Sequence, residues 1–229
     1  MEILLAKLVN RSNLAREEMA QAVTEVAEGR ATPAQIAALL TALKMKGETA
    51  VEIAAAAEVM RGRLHRVNVS NPVFIDTCGT GGDGLNTFNI STGAALVVAA
   101  AGVVVAKHGN RAASSRCGSA DVLAALGVNV DAARAVIERC IEQVGIGFLF
   151  VPHYHPAFKS AHPVRRELGF RTVFNLLGPL LNPAGARRQV MGVNELRWVR
   201  LVGEVQALLG AEHAWVVHGQ GLDELTVTG

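Results

Sequence analysis

The most informative part of the chain is a glycine-rich segment over residues 76–92, Asp-Thr-Cys-Gly-Thr-Gly-Gly-Asp-Gly-Leu-Asn-Thr-Phe-Asn-Ile-Ser-Thr. An apolar run precedes it, and an alanine- and valine-rich helical stretch follows it. Glycines let backbone approach a ligand closely, and the amides of such a turn and of a helix N-terminus form a cradle for anionic oxygens. The acids Asp76 and Asp83 indicate that the ligand also brings a metal ion or hydroxyl groups. The segment predicts a site for a phosphate-bearing, sugar-like ligand.

The same glycines also fit a dinucleotide-binding fingerprint, Gly79-x-Gly81-x-x-Gly84. That fingerprint needs a helix opening on the third glycine and an acid after the second strand. Here six residues separate Gly84 from Ser91, and Lys107 follows the second predicted strand. A dinucleotide site and a plain tight turn remain as less favoured alternatives to the phosphate cradle.

A second polar cluster covers residues 107–119, directly after the second predicted strand. It contains three permanent cations, one histidine, three serines and two glycines. Fixed charge, hydroxyl donors and a free backbone together suit a di- or triphosphate. A solvated loop is the plainer alternative for this cluster.

Two further features add candidate chemistry. Asp223-Glu224 follows the last predicted strand, and Mg²⁺ prefers one or two carboxylates together with phosphate oxygens and water. Arg165 lies in a predicted helix after Pro163, and its forked guanidinium could hold a carboxylate. Solvent-exposed side chains are the alternative for the acids, and an exposed pair is the alternative for Arg165 and Arg166.

Length and composition limit the classes of protein that the chain can represent. It has 229 residues, of which 50% are hydrophobic and 18% charged, so we expect a packed core. A net charge of +2 gives no field that argues for nucleic acid. The three scattered cysteines form no disulfide framework, the N-terminus lacks a secretion pattern, and no apolar run could span a bilayer. We expect a cytoplasmic protein without nucleic acid or membrane partners.

The pattern of apolar residues changes at Asn71-Pro72. Residues 1–66 predict helices only, with caps at Asn13 and Thr32 and a last helix from about Thr49 to Leu64. The predicted strands beyond them are Val73–Asp76, Val103–Ala106, Ile146–Val151, Gln189–Val193 and Ala214–His218. The predicted helices are Ser91–Ala101, Ser119–Leu126, Asp131–Gln143, Pro163–Leu168 and Leu196–Leu209, with a turn over residues 175–183 that ends a helix.

This alternation of strands and helices predicts an α/β fold with a mostly parallel sheet and helices on its faces. Ligands of such sheets bind at the carboxyl ends of the strands. The polar clusters all follow predicted strands, so we expect the loops near residues 80, 110 and 223 to form one basin.

With these motifs in place, the chain resembles the anthranilate phosphoribosyltransferase family of tryptophan biosynthesis. The resemblance runs from the first helix to the last residue, and its motifs come in the order and spacing of the family. The matching segments are residues 76–83, 89–92, 107–111, 118–123, 175–180 and 221–224. Members of the family are longer than this chain, so the resemblance implies an α/β domain whose C-terminal part is missing.

The resemblance implies a helical domain over residues 1–70, through which a homodimer forms, and a larger α/β domain over residues 71–229 that resembles those of nucleoside phosphorylases. It implies transfer of the phosphoribosyl group of phosphoribosyl pyrophosphate to the amine of anthranilate, with Mg²⁺ and without a covalent protein nucleophile. A pyrimidine-nucleoside phosphorylase-like enzyme and a non-catalytic nucleic-acid-binding relative of the same fold are the alternatives.

The resemblance also implies roles for individual residues. Anthranilate would contact Gly79, Asn110 and Arg165, with His108 and His155 nearby, and Mg²⁺ would be held by Ser91, Asp223 and Glu224. The phosphoribosyl donor would contact Gly79, Gly82, Asp83, Thr87, Asn89, Ile90, Ser91, Thr92, Lys107, His108, Gly109, Asn110, Arg111, Ala112, Ala113, Ser114, Ser115 and Ser119.

Overall fold

The computed structural model describes residues 1–82, 84–85, 87–112 and 117–227. The chain divides into two compact units, and each unit is discontinuous in sequence. Unit 1 consists of Met1–Leu64, His155–Leu181 and Glu204–Leu209; unit 2 consists of His65–Tyr154, Asn182–Gly203 and Gly210–Gly229. The sequence predicts two contiguous domains, 1–70 and 71–229. These compact units are discontinuous and do not test that division, which stays a prediction.

The order of elements alternates as expected after residue 73. The helices are α1 (Glu2–Val9), α2 (Arg16–Ala27), α3 (Pro33–Lys46), α4 (Ala50–Arg61), α5 (Ile90–Ala100), α6 (Ser119–Ala125), α7 (Arg134–Val144), α8 (Val151–Tyr154), α9 (His162–Leu168), α10 (Val173–Leu180) and α11 (Arg197–Leu208), with a short 3₁₀ turn at Pro156–Phe158. The strands are β1 (Phe74–Gly79), β2 (Val104–Gly109), β3 (Ile146–Phe150), β4 (Arg188–Gly192) and β5 (His213–Val217). Among the described residues, no helix is both long and apolar enough to cross a membrane.

Local signals in the sequence set the ends of the unit 1 helices. The Thr32 hydroxyl accepts from the Gln35 amide at 3.2 Å, and the Gln35 side chain accepts from the Thr32 amide at 3.0 Å. This reciprocal capping starts α3, and Gly47, at a φ of 90°, ends it. The prediction that Asn13 caps α2 was wrong, because Ala15 holds that position and Asn13 accepts from Lys46 at 2.9 Å.

A buried carboxylate ties the helices of unit 1 together. Glu52 is fully buried and accepts from the Leu14 amide at 2.8 Å through one oxygen. Its other oxygen accepts from the Thr49 amide at 2.8 Å and from the Lys46 ammonium at 3.0 Å. A single carboxylate thus accepts hydrogen bonds from an amide before α2, an amide at the start of α4 and the ammonium at the end of α3.

Unit 2 is built on a sheet whose five described strands run in the order β3-β2-β1-β4-β5. Every neighbouring pair of strands is parallel, which confirms the predicted α/β class with a parallel sheet. Helix α7 covers one part of the sheet by packing Ile137 and Ile141 against Ala106 and Leu149. The parallel arrangement places all five carboxyl ends at the same edge.

Two strands extend further than the sequence predicted. Strand β1 runs to Gly79 instead of ending at Asp76, and β2 runs to Gly109 instead of ending at Ala106. Lys107 and His108 therefore lie inside a strand, where they are 3% and 4% exposed, so the less favoured alternative of a solvated loop is wrong for these two residues. The end of the strand was predicted too early because the buried partners of these polar residues come from distant parts of the chain.

Smaller differences concern the helices. Helix α4 ends at Arg61 instead of Leu64, and α7 begins at Arg134 instead of Asp131. The predicted turn over residues 175–183 is helical as far as Leu180, with Pro179 in the last turn of α10. A proline there removes an amide hydrogen bond late in the helix, which made the segment look like a loop.

We expect Glu52→Ala to lower the free energy of unfolding by about 3 kcal/mol, because it leaves a buried ammonium and buried amides without their acceptor. The matched control is Glu58→Ala, which removes a pair with Arg16 that is 40% exposed on both sides and should cost less than about 1 kcal/mol. Urea unfolding of both variants measures the difference. Equal losses would contradict the role given to Glu52.

A second prediction concerns acid stability. His155 is 6% exposed, and burial lowers its pKa from 6.5 to about 4. Between pH 6.5 and about 4, His155 is protonated in the unfolded chain but neutral in the folded one. The free energy of unfolding therefore falls as the pH drops through this range. In the wild-type chain, His155 should account for about 2 kcal/mol of the decrease in the free energy of unfolding between neutral pH and pH of about 4.5, and His155→Gln should remove that part. Urea unfolding at both pH values tests this, and an unchanged pH dependence would contradict it.

Candidate active site

The loops that follow β1 and β5 meet above the carboxyl edge of the sheet. The Gly81 amide donates to Asp223 Oδ2 at 3.0 Å. A Cβ atom on Gly79 would lie 3.0 Å from the same oxygen, and one on Gly192, at the end of β4, would overlap the Asp223 carbonyl. Both glycines are thus required for the close approach of the acidic loop.

A tight turn holds this acidic loop in place. Gly219 and Leu222 form an antiparallel bridge with amide–carbonyl bonds of 3.1 and 2.9 Å. Between them Gln220 and Gly221 both adopt positive φ values, 51° and 82°. The turn directs Asp223 back toward β1 and β4.

A buried lysine joins β1, β2 and the first turn of α5. The Lys107 ammonium donates to the Thr77 carbonyl at 2.5 Å and to the Ser91 hydroxyl at 3.4 Å. The Thr77 hydroxyl in turn donates to the Ser91 carbonyl at 2.8 Å. The start of α5 is therefore fixed to the sheet from two sides.

The charges around Lys107 come from both the sheet and the acidic loop. Burial lowers the pKa of Lys107, while the negative charges of Asp76 and Glu224 oppose that effect. Glu224 therefore lies within electrostatic range of the ammonium. Strands β1 and β2 and the loop after β5 thus all contribute charge to this part of unit 2.

The N-terminus of α5 has polar groups beyond those that cap it. Asn89 occupies the cap position, but its side chain makes no capping bond and donates to the Cys117 carbonyl at 3.2 Å. Thr92, in the first turn, is 2% exposed, and its hydroxyl has no hydrogen-bond partner among the described residues. The Asn89 bond links this loop to the one that follows β2.

Asp121 organises the described part of the loop between β2 and α6. Its carboxylate accepts from the amides of Ala112 and Gly118 at 3.0 and 2.9 Å and from the Arg111 guanidinium at 3.0 Å. The two amides and then Arg111 lower its pKa below the usual range of a carboxyl group. This role of Asp121 was not predicted from the sequence, although its position in the first turn of α6 is a usual one for an acid that accepts from amides before a helix.

Ser119 and Gly118 bring the two ends of that loop together. The Ser119 hydroxyl donates to the Asn110 carbonyl at 3.2 Å. A Cβ atom on Gly118 would lie 2.5 Å from the Arg111 carbonyl carbon and 2.6 Å from the Asn110 oxygen. The loop closes on itself because no side chain intervenes.

The predicted anthranilate residues belong to different units. Gly79 and Asn110 are in unit 2, whereas Arg165 is in unit 1 on α9. The Arg165 guanidinium lies 5.9 and 5.7 Å from the ring centres of Phe158 and Phe174. Burial and the positive charge of Arg171 both lower the pKa of Arg165. An anion bound at Arg165 would therefore offset its repulsion by Arg171.

The other predicted residues divide into three groups. Gly82 and Thr87 are exposed in the loop between β1 and α5. His108 is buried in β2, where its amide donates to Asp76 at 3.1 Å, and His155 lies in unit 1 with its ring 5.7 Å from that of Phe158. Asp83, Ala113, Ser114 and Ser115 lie outside the described residues.

Both the N-terminal and the C-terminal parts of the chain match domains of a known protein family. Residues 3–63 match the helical bundle domain of the glycosyl transferase family, and residues 71–229 match its a/b domain. The anthranilate phosphoribosyltransferase of Anaeromyxobacter dehalogenans strain 2CP-C is 69% identical over 225 residues, which are 98% of this chain and 67% of that protein. That of Roseiflexus strain RS-1 is 54% identical over 98% of this chain and 66% of its own length.

Solved structures agree with these sequence matches. The anthranilate phosphoribosyltransferase of Thermus thermophilus superposes with a TM-score of 0.92 at 48% identity, covering 98% of this chain and 68% of that one. The Saccharomyces cerevisiae enzyme in complex with PRPP and Mg superposes with a TM-score of 0.87 at 29% identity, covering 96% and 66%. The chain thus spans about two thirds of the length of these relatives. It belongs to the anthranilate phosphoribosyltransferase family, within the glycosyl transferases.

Proposed function

We propose that this chain transfers the phosphoribosyl group of 5-phosphoribosyl 1-pyrophosphate to the amine of anthranilate, giving N-(5-phosphoribosyl)anthranilate and pyrophosphate. This reaction is the second step of tryptophan biosynthesis from chorismate. The observation that carries the proposal is the meeting of three loops at one edge of the sheet, joined by the Gly81–Asp223 and Asn89–Cys117 bonds. The names of the relatives support the choice of substrates.

The donor would bind at the N-terminus of α5. An anionic phosphate is favoured there by the helix dipole and by hydroxyl donors. The Thr92 hydroxyl, which makes no hydrogen bond within the described structure, supports this placement. Asn89, Ile90 and Ser91 line the same turn, and Arg111 follows the neighbouring strand. The predicted contacts to residues 107–115 and Ser119 stay predictions.

The residues present fit a magnesium ion held jointly with the donor. No group of three or more His, Cys, Asp or Glu side chains that could hold a metal occurs in the described ranges. Mg²⁺ is usually held by one or two carboxylates with substrate phosphates and water, so Asp223, Glu224 and the Ser91 hydroxyl suit it. The chemistry that the ion supplies when bound is neutralisation of charge on the diphosphate.

The reaction itself needs little covalent chemistry from the protein. The bond between ribose carbon 1 and the diphosphate oxygen breaks, the bond from that carbon to the anthranilate nitrogen forms, and the amine loses a proton. Carbon 1 carries positive charge as the diphosphate departs, as in other glycosyl transfers. The protein contributes by holding two ligands in line and by stabilising the charge of the leaving group.

Anthranilate would be recognised through its carboxylate. The Arg165 guanidinium can donate two hydrogen bonds to that carboxylate, and the flanking Phe158 and Phe174 rings offer an apolar surface to an aromatic ligand. Binding of a carboxylate also offsets the repulsion between Arg165 and Arg171. The contributions of Gly79 and Asn110 to this site stay predictions.

We also propose that the protein is a cytoplasmic homodimer. Exposed apolar side chains on the helices of unit 1, Ile3, Val9 and Met45 at 78%, 74% and 71%, support an interface there. The three free cysteines, Cys78, Cys117 and Cys140, suit a reducing compartment. No nucleic acid or membrane is part of the proposal.

The experiment that tests the function follows anthranilate fluorescence in the presence of the donor and Mg²⁺. We expect fluorescence to fall only when both are present, with the Anaeromyxobacter dehalogenans relative as positive control. Phosphate-dependent cleavage of pyrimidine nucleosides would favour the phosphorylase alternative instead. Salt-dependent DNA binding without transfer would favour the nucleic-acid-binding alternative.

Asp223→Asn combined with Glu224→Gln should reduce Mg²⁺-dependent turnover about 100-fold, because amides replace the anionic ligands of the ion. The control is Glu212→Gln, since Glu212 pairs with Arg187 and Arg188 at the amino end of β5, opposite the site. Steady-state rates across a magnesium titration measure the effect. Wild-type rates in the double variant would remove Asp223 and Glu224 from the metal site.

Arg165→Gln should raise the KM for anthranilate about 10-fold or more and leave the KM for the donor within about twofold, since a charge-assisted bidentate bond is lost. Arg166→Gln is the matched control, because Arg166 is its exposed neighbour on α9. Initial rates with each substrate varied in turn provide both constants. A selective change in the donor constant would show that Arg165 does not hold the acceptor.

A further inference from the structure

A buried acid in the middle of the sheet has no part in the chemistry proposed so far. Asp76 lies on the central strand β1 and is fully buried. Its oxygens accept from the His108 amide on β2 at 3.1 Å and from the Gln189 amide nitrogen on β4 at 3.0 Å. The two neighbouring strands, β2 and β4, therefore hold this carboxylate in one position.

The charge of Asp76 acts on Lys107. The two groups lie close together, because the His108 amide next to Lys107 donates to Asp76 at 3.1 Å and the Lys107 ammonium donates to the Thr77 carbonyl next to Asp76 at 2.5 Å. Each charge opposes the effect of burial on the pKa of the other group. Both are almost completely removed from solvent, at 0% and 3% exposure. A buried charge without an opposite charge nearby is strongly unfavourable, so Lys107 depends on Asp76 to stay where it is.

Lys107 in turn reaches the candidate donor site. Its ammonium donates to the Thr77 carbonyl and the Ser91 hydroxyl, and Ser91 is in the first turn of α5. Asp76 cannot contact a ligand in that turn itself, because it has no exposed surface. Any effect of Asp76 on ligand binding must therefore pass through the residues it holds.

We propose that Asp76 is a positioning residue that keeps the Lys107 ammonium directed at Thr77 and Ser91 and so fixes the first turn of α5 for the donor diphosphate. This inference rests on the proposed function, because it assumes that the donor binds at this turn. Without the charge of Asp76, the buried ammonium loses a compensating charge on the neighbouring strand and is no longer held at Thr77 and Ser91.

A double-mutant cycle tests the inference, with D76N, K107M and the double variant D76N/K107M. The readout is the dissociation constant of the donor in the presence of Mg²⁺, from titration calorimetry of the full chain. We expect D76N to weaken donor binding about 10-fold when Lys107 is present. In the K107M background, D76N should alter the dissociation constant of the donor by less than about twofold, because the ammonium through which Asp76 acts is absent.

Thermal unfolding separates positioning from a merely structural role. Removing both charges avoids an unpaired buried ion, so D76N/K107M should recover most of the stability that D76N loses. Its donor affinity should nevertheless stay low. Recovery of affinity together with stability would overturn the inference, as would an equal effect of D76N in both backgrounds or no effect in either.

A second variant covers the case in which D76N does not fold. T77V keeps the Asp76–Lys107 pair but removes the hydroxyl that donates to the Ser91 carbonyl, so it loosens the same turn. We expect about 10-fold weaker donor binding with anthranilate binding unchanged, and an unchanged donor constant would overturn the inference. If the wild-type chain binds no donor, the proposed function and this inference fail together. If it binds and the variants do not differ, only the inference fails.

Discussion

The parallel register of the sheet is the constraint on which the candidate site depends. Five carboxyl ends share one edge, so the loops after β1, β4 and β5 must fit into the space above three adjacent strands. Gly79 and Gly192 make this possible, because the loop that carries Asp223 lies directly on them. Those glycines therefore permit close contact between the loop that carries Asp223 and the ends of β1 and β4. A side chain at either position would push that loop away from the sheet.

Much of the fold follows from local signals in the sequence. Thr32 and Thr49 mark helix starts through their own hydroxyls, and the alternation of apolar runs with helical segments gave the α/β class. The strand order could not be derived, because pairing depends on contacts between residues far apart in sequence. The ends of β1 and β2 were missed for the same reason. Asp76 on β1 and Lys107 on β2 are both buried, and the charge of each opposes the effect of burial on the pKa of the other.

The candidate site shows the same division between local and distant information. The glycine turn and the cation-rich segment were recognisable from residue types alone, and the structure joins them through Asn89 and Cys117. The role of Asp121 depends on a loop that returns to the start of α6, and hydrogen bonds to two amides across that loop are not visible in composition. Arg165 was chosen for its chemistry, and its flanking rings come from the 3₁₀ turn and α10, which the sequence analysis did not predict as separate elements.

The arrangement of charge explains how one edge can suit both a diphosphate and a divalent cation. A site made only of cations would bind a diphosphate but repel the metal ion, and a site made only of acids would do the reverse. In unit 2 the Lys107 ammonium donates to the Ser91 hydroxyl in the first turn of α5, while the Asp223 carboxylate accepts from the Gly81 amide. The negative charge of Glu224 opposes the lowering of the Lys107 pKa by burial. The cation on β2 and the acid in the loop after β5 thus supply both signs of charge, which is what a diphosphate with its divalent cation requires.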